Sequence, residues 1–98
     1  MNIIKNRTDD KLVVALEGRL DTMTAPELEN DIKPALDGVK ELTFDMAKLD
    51  YISSAGIRII LAFQKIMSKQ GSMKIINANE MVMEIFEVTG FSEVLKIE

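Results

Sequence analysis

The chain has 98 residues, with twelve lysines and arginines against sixteen aspartates and glutamates, and it contains no histidine, cysteine or tryptophan. The lack of cysteine and histidine excludes disulfides, the usual zinc sites and the Ser-His and Cys-His nucleophile pairs. A net charge of −4 argues against nucleic-acid binding, which needs a positive surface. The length predicts a single domain, residues 1–98, with one core and one surface site.

Targeting and membrane signals are missing from the sequence. The N-terminal residues Met1–Arg7 show no long apolar run of the kind found in signal peptides. No later window approaches the roughly 20 apolar residues of a membrane span. We therefore expect a cytoplasmic protein without a membrane span, and we expect neither a cofactor nor a bound metal.

The first part of the chain predicts a β-hairpin. A strand is expected near residues 2–7, and a turn at Thr8-Asp9-Asp10 leads to a second strand at Lys11–Leu16. The second strand is apolar at consecutive positions and rich in β-branched residues, a pattern typical of a strand covered on both faces. We expect this pair to be the antiparallel part of the sheet.

A helix is expected from Thr24 onwards. Thr24 is placed as the N-cap, Pro26 lies in the first turn, and Glu27 stands three residues after the cap, where it can return a hydrogen bond. Pro34 removes a backbone donor, so the helix is expected to kink or to end early. Gly38 supports a stop nearby.

The rest of the chain alternates strands with helices. This order predicts an α/β fold in which a mixed sheet of four to five strands is packed against about four helices. The expected elements are a strand at 42–46 with one buried face, a helix from about 55 to 70, a strand at 73–77, a helix from the N-cap Asn79 to Thr89-Gly90, and a short last strand at 94–97.

The helix expected at 55–70 has two different faces. A broad apolar stripe predicts packing on the sheet and consists of Ile59, Ile60, Phe63, Ile66 and Met67. A second face is basic and apolar, and it carries Arg58, Leu61, Ala62, Lys65 and Lys69. This second face is either an exposed strip that binds a partner or an ordinary solvated helix surface.

Small residues precede this helix, at Ser53-Ser54-Ala55-Gly56. The first amides of a helix have no internal acceptor and lie at the positive end of its dipole, so a hydroxyl on Ser54 would stand beside a site that favours an anion. A phosphate on Ser54 could be accommodated there. The alternative interpretation is that Ser53 or Ser54 only caps the helix.

The segment Ser53–Ile57 resembles the core motif of the STAS domains, a family named for sulfate transporters and anti-sigma factor antagonists. The resemblance extends over nearly the whole chain and includes Leu16–Asp21, which is similar to the Gly-x-Leu-Asp element of the family, and Leu42–Ile52 before the serines. The family motif is usually Asp-Ser-Ser/Ala-Gly-Leu. This chain has Ser53 where antagonists commonly have Asp.

The resemblance implies a binding module rather than an enzyme. In antagonists of this type the unmodified protein binds an anti-sigma factor that is also a serine kinase, and a sigma factor is released. Phosphorylation abolishes this binding, and a phosphatase restores it. The phosphorylated position falls on Ser54, and the resemblance and the helical spacing together place the partner-binding surface at Asp21, Ser53, Ser54, Ala55, Gly56, Arg58 and Leu61.

Other functions remain open from the sequence. The chain could be a constitutive scaffold or a subunit of a stress-signalling or transport assembly without a phosphoswitch, and Ser53 in place of Asp favours this alternative. A nucleotide or lipid sensor is less well supported, because no Gly-rich phosphate loop is present. Asp45 and Asp50 lack the partners that acid-base catalysis needs. A monomer or weak dimer is expected.

Overall fold

A four-stranded mixed sheet lies at the centre of the computed structural model, which describes residues 1–98. The spatial order of the strands is their chain order. β1 is antiparallel to β2, while β2, β3 and β4 run parallel to one another. The strands are β1 (Asn2–Thr8), β2 (Lys11–Leu20), β3 (Glu41–Ile52) and β4 (Ser72–Ile76).

The predicted hairpin and the mixed sheet are confirmed. The turn between β1 and β2 passes through Asp9, whose φ of 56° is left-handed. The last strand expected at 94–97 is wrong, because only Ile97 makes a bridge, to Ile75 of β4. Two backbone hydrogen bonds around Ile75 hold the C-terminal segment in this place.

Only one face of the sheet carries the core, and the expectation that β2 is covered on both faces is wrong. Leu12, Val14 and Leu16 are buried, whereas Val13 between them is 39% exposed. Val13 and Ala15 point away from the buried face because side chains alternate along a strand. Consecutive apolar residues therefore leave part of their surface on the open face of the sheet.

β3 is much longer than the strand expected at 42–46 and contains two irregularities in its pairing with β2. Between Ala15 and Glu17, and again between Gly18 and Arg19, β3 holds one residue more than β2. Each extra residue shifts the inside-outside alternation by one position. The buried apolar side chains of β3 accordingly follow the series Leu42, Phe44, Met46, Leu49 and Ile52.

Three α-helices accompany the sheet rather than about four: α1 (Ala25–Ile32), α2 (Ser54–Ser68) and α3 (Glu80–Val88). Two single 3₁₀ turns, Lys33–Leu36 and Phe91–Glu93, make up the remainder. The early end expected from Pro34 is confirmed, because the helical hydrogen-bond pattern changes from α to 3₁₀ at Lys33, directly before it.

The capping predictions have different outcomes. Asn79 caps α3 as expected, because its side-chain oxygen accepts from the amide of Val82 at 2.9 Å. Thr24 precedes α1, but its side chain makes no capping bond. Its hydroxyl instead donates to the carbonyl of Arg19 at 2.7 Å and accepts from the amide of Asp21. The predicted reciprocal cap with Glu27 is therefore wrong.

The core is aliphatic and lies between the sheet and the helices. It comprises 23 buried residues, and the rings of Phe44 on β3 and Phe63 on α2 are 5.6 Å apart between centroids. These contacts fix α2 against β3 along its apolar stripe. None of the helices is long and apolar enough to cross a membrane.

Candidate functional site

α2 begins directly after β3, and Ser53 forms the junction. The backbone of Ser53 is extended, and its hydroxyl oxygen accepts from the amide of Gly56 at 3.3 Å. Its amide donates to the carbonyl of Leu20 at 2.9 Å, which ties the start of α2 to the end of β2. Ser53 is therefore the N-cap of α2.

Ser54 is the first residue of α2 and is exposed. Its hydroxyl makes no hydrogen bond within the chain, because the capping position is already occupied by Ser53. The amides of Ser54 and Ala55 likewise have no backbone acceptor. The hydroxyl thus stands free in water at the positive end of a helix of 15 residues, where negative charge is stabilised.

Gly56 lies below this first turn and is buried. A Cβ atom at this position would lie 2.8 Å from Leu20 Cγ and 2.9 Å from Ile52 Cγ1. Only glycine allows the helix to approach the ends of β2 and β3 this closely. A partner would meet the helix that Gly56 positions rather than Gly56 itself.

Asp21 organises the loop that follows β2. One carboxylate oxygen accepts from the amides of Met23 at 3.0 Å and Thr24 at 3.1 Å, and the other lies 3.7 Å from the guanidinium of Arg19. These hydrogen bonds, above all the one from the backbone of Thr24, lower the pKa of Asp21 below its usual range, with a smaller contribution from Arg19. Asp21 is a turn residue, and Leu20 before it joins this turn to the start of α2.

Arg19, just before the loop after β2, adds a second charged side chain beside Asp21. Its guanidinium carbon lies 4.5 Å from the centroid of the Tyr51 ring, and Arg19 and Tyr51 are paired across β2 and β3. The stacking and the ion pair to Asp21 hold the side chain of Arg19 over the end of the sheet. The loop after β2, which Leu20 ties to Ser53, therefore carries a carboxylate and a guanidinium that lie close together.

Ala55 and Arg58 take part in a small groove between α2 and the start of α1. The groove has a volume of about 210 Å³ and is also lined by Thr22, Ala25, Pro26, Glu29 and Ile59. It brings the loop after β2 next to the first two turns of α2. Leu61 is half-buried further along the same helix and lines a second, larger groove.

Two exposed apolar side chains near these grooves were missed by the sequence analysis. Met23 is 82% exposed in the loop held by Asp21, and Val94 is 58% exposed beside α2. Met46, Met67 and Met73 are buried in the core, whereas Met23 and Met81 are exposed. Only the position of Met23 two residues after the Gly-x-Leu-Asp element could have indicated that it lies at the surface.

Asp45, one of the two carboxylates considered for catalysis, accepts hydrogen bonds within the chain. Asp45 accepts from the amide of Ala47 at 3.0 Å and from the side chain of Asn77 at 3.1 Å. Asp50 is exposed at the end of β3. No three acidic side chains of the chain come together in a way that could hold a metal ion.

The start of α2 leaves one serine hydroxyl free, close to the acidic turn after β2. This is the arrangement that the resemblance to the STAS domains implies. A family model confirms that the chain belongs to this family. The model of the STAS domain matches residues 2–98. The chain is a STAS domain. An anti-sigma-B factor antagonist of Listeria monocytogenes is 30% identical to it over 107 residues, which cover 100% of this STAS domain and 90% of the relative.

Solved structures show the same fold. The unphosphorylated form of the anti-sigma factor antagonist SpoIIAA superposes on this STAS domain with a TM-score of 0.85 at 18% identity, covering 99% of this chain and 88% of that chain. The phosphorylated form of SpoIIAA, a Bacillus cell fate determinant, gives a TM-score of 0.77 at 17% identity, with 99% and 91% of the two chains covered. A curated relative from Bacillus subtilis, 24% identical to this STAS domain, is also named an anti-sigma-B factor antagonist.

Proposed function

We propose that this STAS domain is an anti-sigma factor antagonist in the bacterial cytoplasm. Unmodified, it binds an anti-sigma factor that is also a serine kinase, so that a sigma factor is released. Phosphorylation of Ser54 ends this binding, and a phosphatase restores it. The domain itself acts by binding and not by catalysis.

The exposed, unbonded hydroxyl of Ser54 is the observation that carries this proposal. A kinase needs a hydroxyl that is accessible and free of intramolecular hydrogen bonds. Because Ser53 provides the cap, Ser54 can be modified without removing a bond that α2 needs. A relative named as an anti-sigma-B factor antagonist and a neighbour solved in a phosphorylated form support the same interpretation.

The physical effect of the modification follows from its charge and its hydration. A phosphate adds a charge of about −1.5 to −2 and three strong acceptors. At the centre of a desolvated contact, a penalty of about 3–4 kcal/mol would weaken binding several hundredfold. No rearrangement of the sheet or the helices is required.

Binding of the kinase-type anti-sigma factors of the source organism to variants of Ser54 tests the proposal by calorimetry. Ser54→Ala should keep the wild-type affinity, because it removes only an exposed hydroxyl. Ser54→Asp should weaken binding at least tenfold, because it places a charge on the contact surface. Ser53→Asp tests the position of the charge, because it adds the same charge one position earlier, where antagonists commonly carry it, and it should bind more tightly than Ser54→Asp.

Equal binding by Ser54→Ala and Ser54→Asp would contradict the phosphoswitch and support a constitutive scaffold. A wild-type chain that binds none of these anti-sigma factors would contradict the function itself. Phosphate on Ser54, detected by mass spectrometry after incubation with the kinase and ATP, is the direct expected result.

A further inference from the structure

The largest groove of this STAS domain runs along α2 and has a volume of about 680 Å³. It lies between α2 and the segment that follows the 3₁₀ turn Phe91–Glu93. We refer to it as the α2 groove. Four kinds of side chain line it, namely the cations Arg58 and Lys65, the apolar Leu61, Ala62 and Val94, the amide Gln64 and the hydroxyl Ser68.

The α2 groove starts one helical turn beyond Ser54. Arg58, Leu61 and Lys65 stand four, seven and eleven positions after Ser54, so all four residues share one side of α2. At a rise of about 1.5 Å per residue, the line from Ser54 to Lys65 is about 16 Å long. The groove therefore continues the surface around Ser54 along about three turns of α2.

Both charged side chains that line the α2 groove are cations, and the acidic Glu29 lies in the lining of the smaller groove beside Arg58. Arg58 and Lys65 are exposed, and neither takes part in any of the ion pairs within the chain. The sequence contains no aspartate or glutamate between Asp50 and Glu80. Within a chain of net charge −4, this helix is a local site that attracts carboxylates.

The apolar lining defines the rest of the occupant. Val94 is 58% exposed and, with Leu61 and Ala62, offers an apolar surface next to the two cations. An occupant that brings apolar side chains beside its carboxylates would cover this surface and remove it from water.

We propose that the α2 groove binds an acidic amphipathic segment of the anti-sigma factor, whose carboxylates pair with Arg58 and Lys65 while its apolar side chains cover Leu61, Ala62 and Val94. This inference rests on the proposed function and names the chemistry of the partner surface. It also explains how a phosphate on Ser54 acts, since negative charge one turn from Arg58 neutralises that cation and repels the acidic segment.

Charge and polarity variants outside the first turn of α2 test the inference, with binding to the same purified anti-sigma factors measured by calorimetry at low and at physiological salt. Lys65→Glu should weaken binding about tenfold and reduce its salt dependence. Val94→Asp should weaken it by a similar factor. The matched controls are Lys11→Glu on the open face of the sheet and Val88→Asp on α3, where valine is 80% exposed, and both should bind as the wild type does. Thermal unfolding by circular dichroism establishes that each variant is folded.

The outcomes separate this inference from the proposed function. If Lys65→Glu and Val94→Asp bind like their controls while Ser54→Asp does not bind, the α2 groove is not a partner site and the phosphoswitch stands. If the groove variants weaken binding while Ser54→Asp and Ser54→Ala bind alike, the groove stands and the switch does not. Tighter binding by Lys65→Glu would show that the partner segment is basic and would overturn the inference.

Discussion

Two neighbouring serines at the start of α2 have different tasks because a helix has one capping position. Ser53 occupies it and bonds the amide of Gly56, while the hydroxyl of Ser54 has no partner in the chain. The hydroxyl of Ser53 stabilises the start of the helix, whereas the hydroxyl of Ser54 is exposed at the surface. A substitution at either serine should therefore affect one property and leave the other nearly unchanged.

Removal of the cap should be visible in the stability of the protein. Ser53→Ala is expected to lower the free energy of unfolding by about 1 kcal/mol, because the amide of Gly56 loses its acceptor. Ser54→Ala should change it by less than about 0.5 kcal/mol, as an exposed position away from any bond does. Urea unfolding followed by circular dichroism measures both. Similar losses for the two variants would contradict the division of tasks.

Asp21 gives the stability a dependence on pH. Its pKa is lowered in the folded chain, mainly by the hydrogen bond from the backbone of Thr24. The stabilisation is therefore complete above the unfolded pKa of about 3.9 and is lost as the pH falls through the lower folded value. Wild type and Asp21→Asn should differ in unfolding free energy by a constant amount above about pH 5, and the difference should shrink below about pH 4. A difference that stays constant down to pH 2.5 would disprove this role.

The position of α2 as an element is fixed at both of its ends. Gly56 lets its first turn approach Leu20 and Ile52, and after its last turn Gln70 donates to the carbonyls of Leu36 and Val39, both at 2.7 Å. Between these ends, Phe63 packs on Phe44. The helix consequently presents Ser54 and the α2 groove from a rigid support.

Substitution of the glycine should displace this support. Gly56→Ala is expected to destabilise the fold by about 1–3 kcal/mol, because the new methyl group would overlap with Leu20 and Ile52. Ala62→Ser, which adds an atom on the half-buried outer side of α2, is the matched control and should change stability by less than about 0.5 kcal/mol. The midpoints of urea unfolding measure the difference, and equal midpoints would contradict the close packing.

Elements specified by local chemistry could be predicted from the sequence, and those specified by pairing could not. The turn at Asp9, the cap at Asn79 and the end of α1 before Pro34 each depend on residues within one turn. The full length of β3 depends on its pairing with β2. Two extra residues in β3 interrupt the alternation of buried and exposed side chains that begins at residues 42–46, so this alternation does not predict the rest of the strand. The miss at Thr24 has a different cause, because its hydroxyl bonds the backbone of Asp21 and Arg19, three and five residues earlier, in a local arrangement that competes with capping.

At the scale of the whole molecule, the topology brings the surface together. The start of α2 was predicted correctly, because small residues after a strand mark such a junction. Val94 reaches α2 only because the C-terminal segment returns to β4 through Ile97, over 30 residues after Ser54 in the chain. Opposite charges are also separated, since residues 75–95 contain four glutamates and no lysine or arginine, whereas α2 contains only cations.

The two extra residues of β3 decide on which side of the sheet the chain emerges. Successive side chains of a strand point to opposite faces of the sheet. One added residue therefore moves every later side chain to the other face, and a second added residue moves it back. With an odd count, Ile52 would face water and the next helix would have to leave from the uncovered side. What matters is that the number of extra residues in β3 opposite Ala15–Arg19 is even. Shortening or lengthening this part of β3 by two residues preserves the direction in which Ser54 points, whereas a change of one residue inverts it.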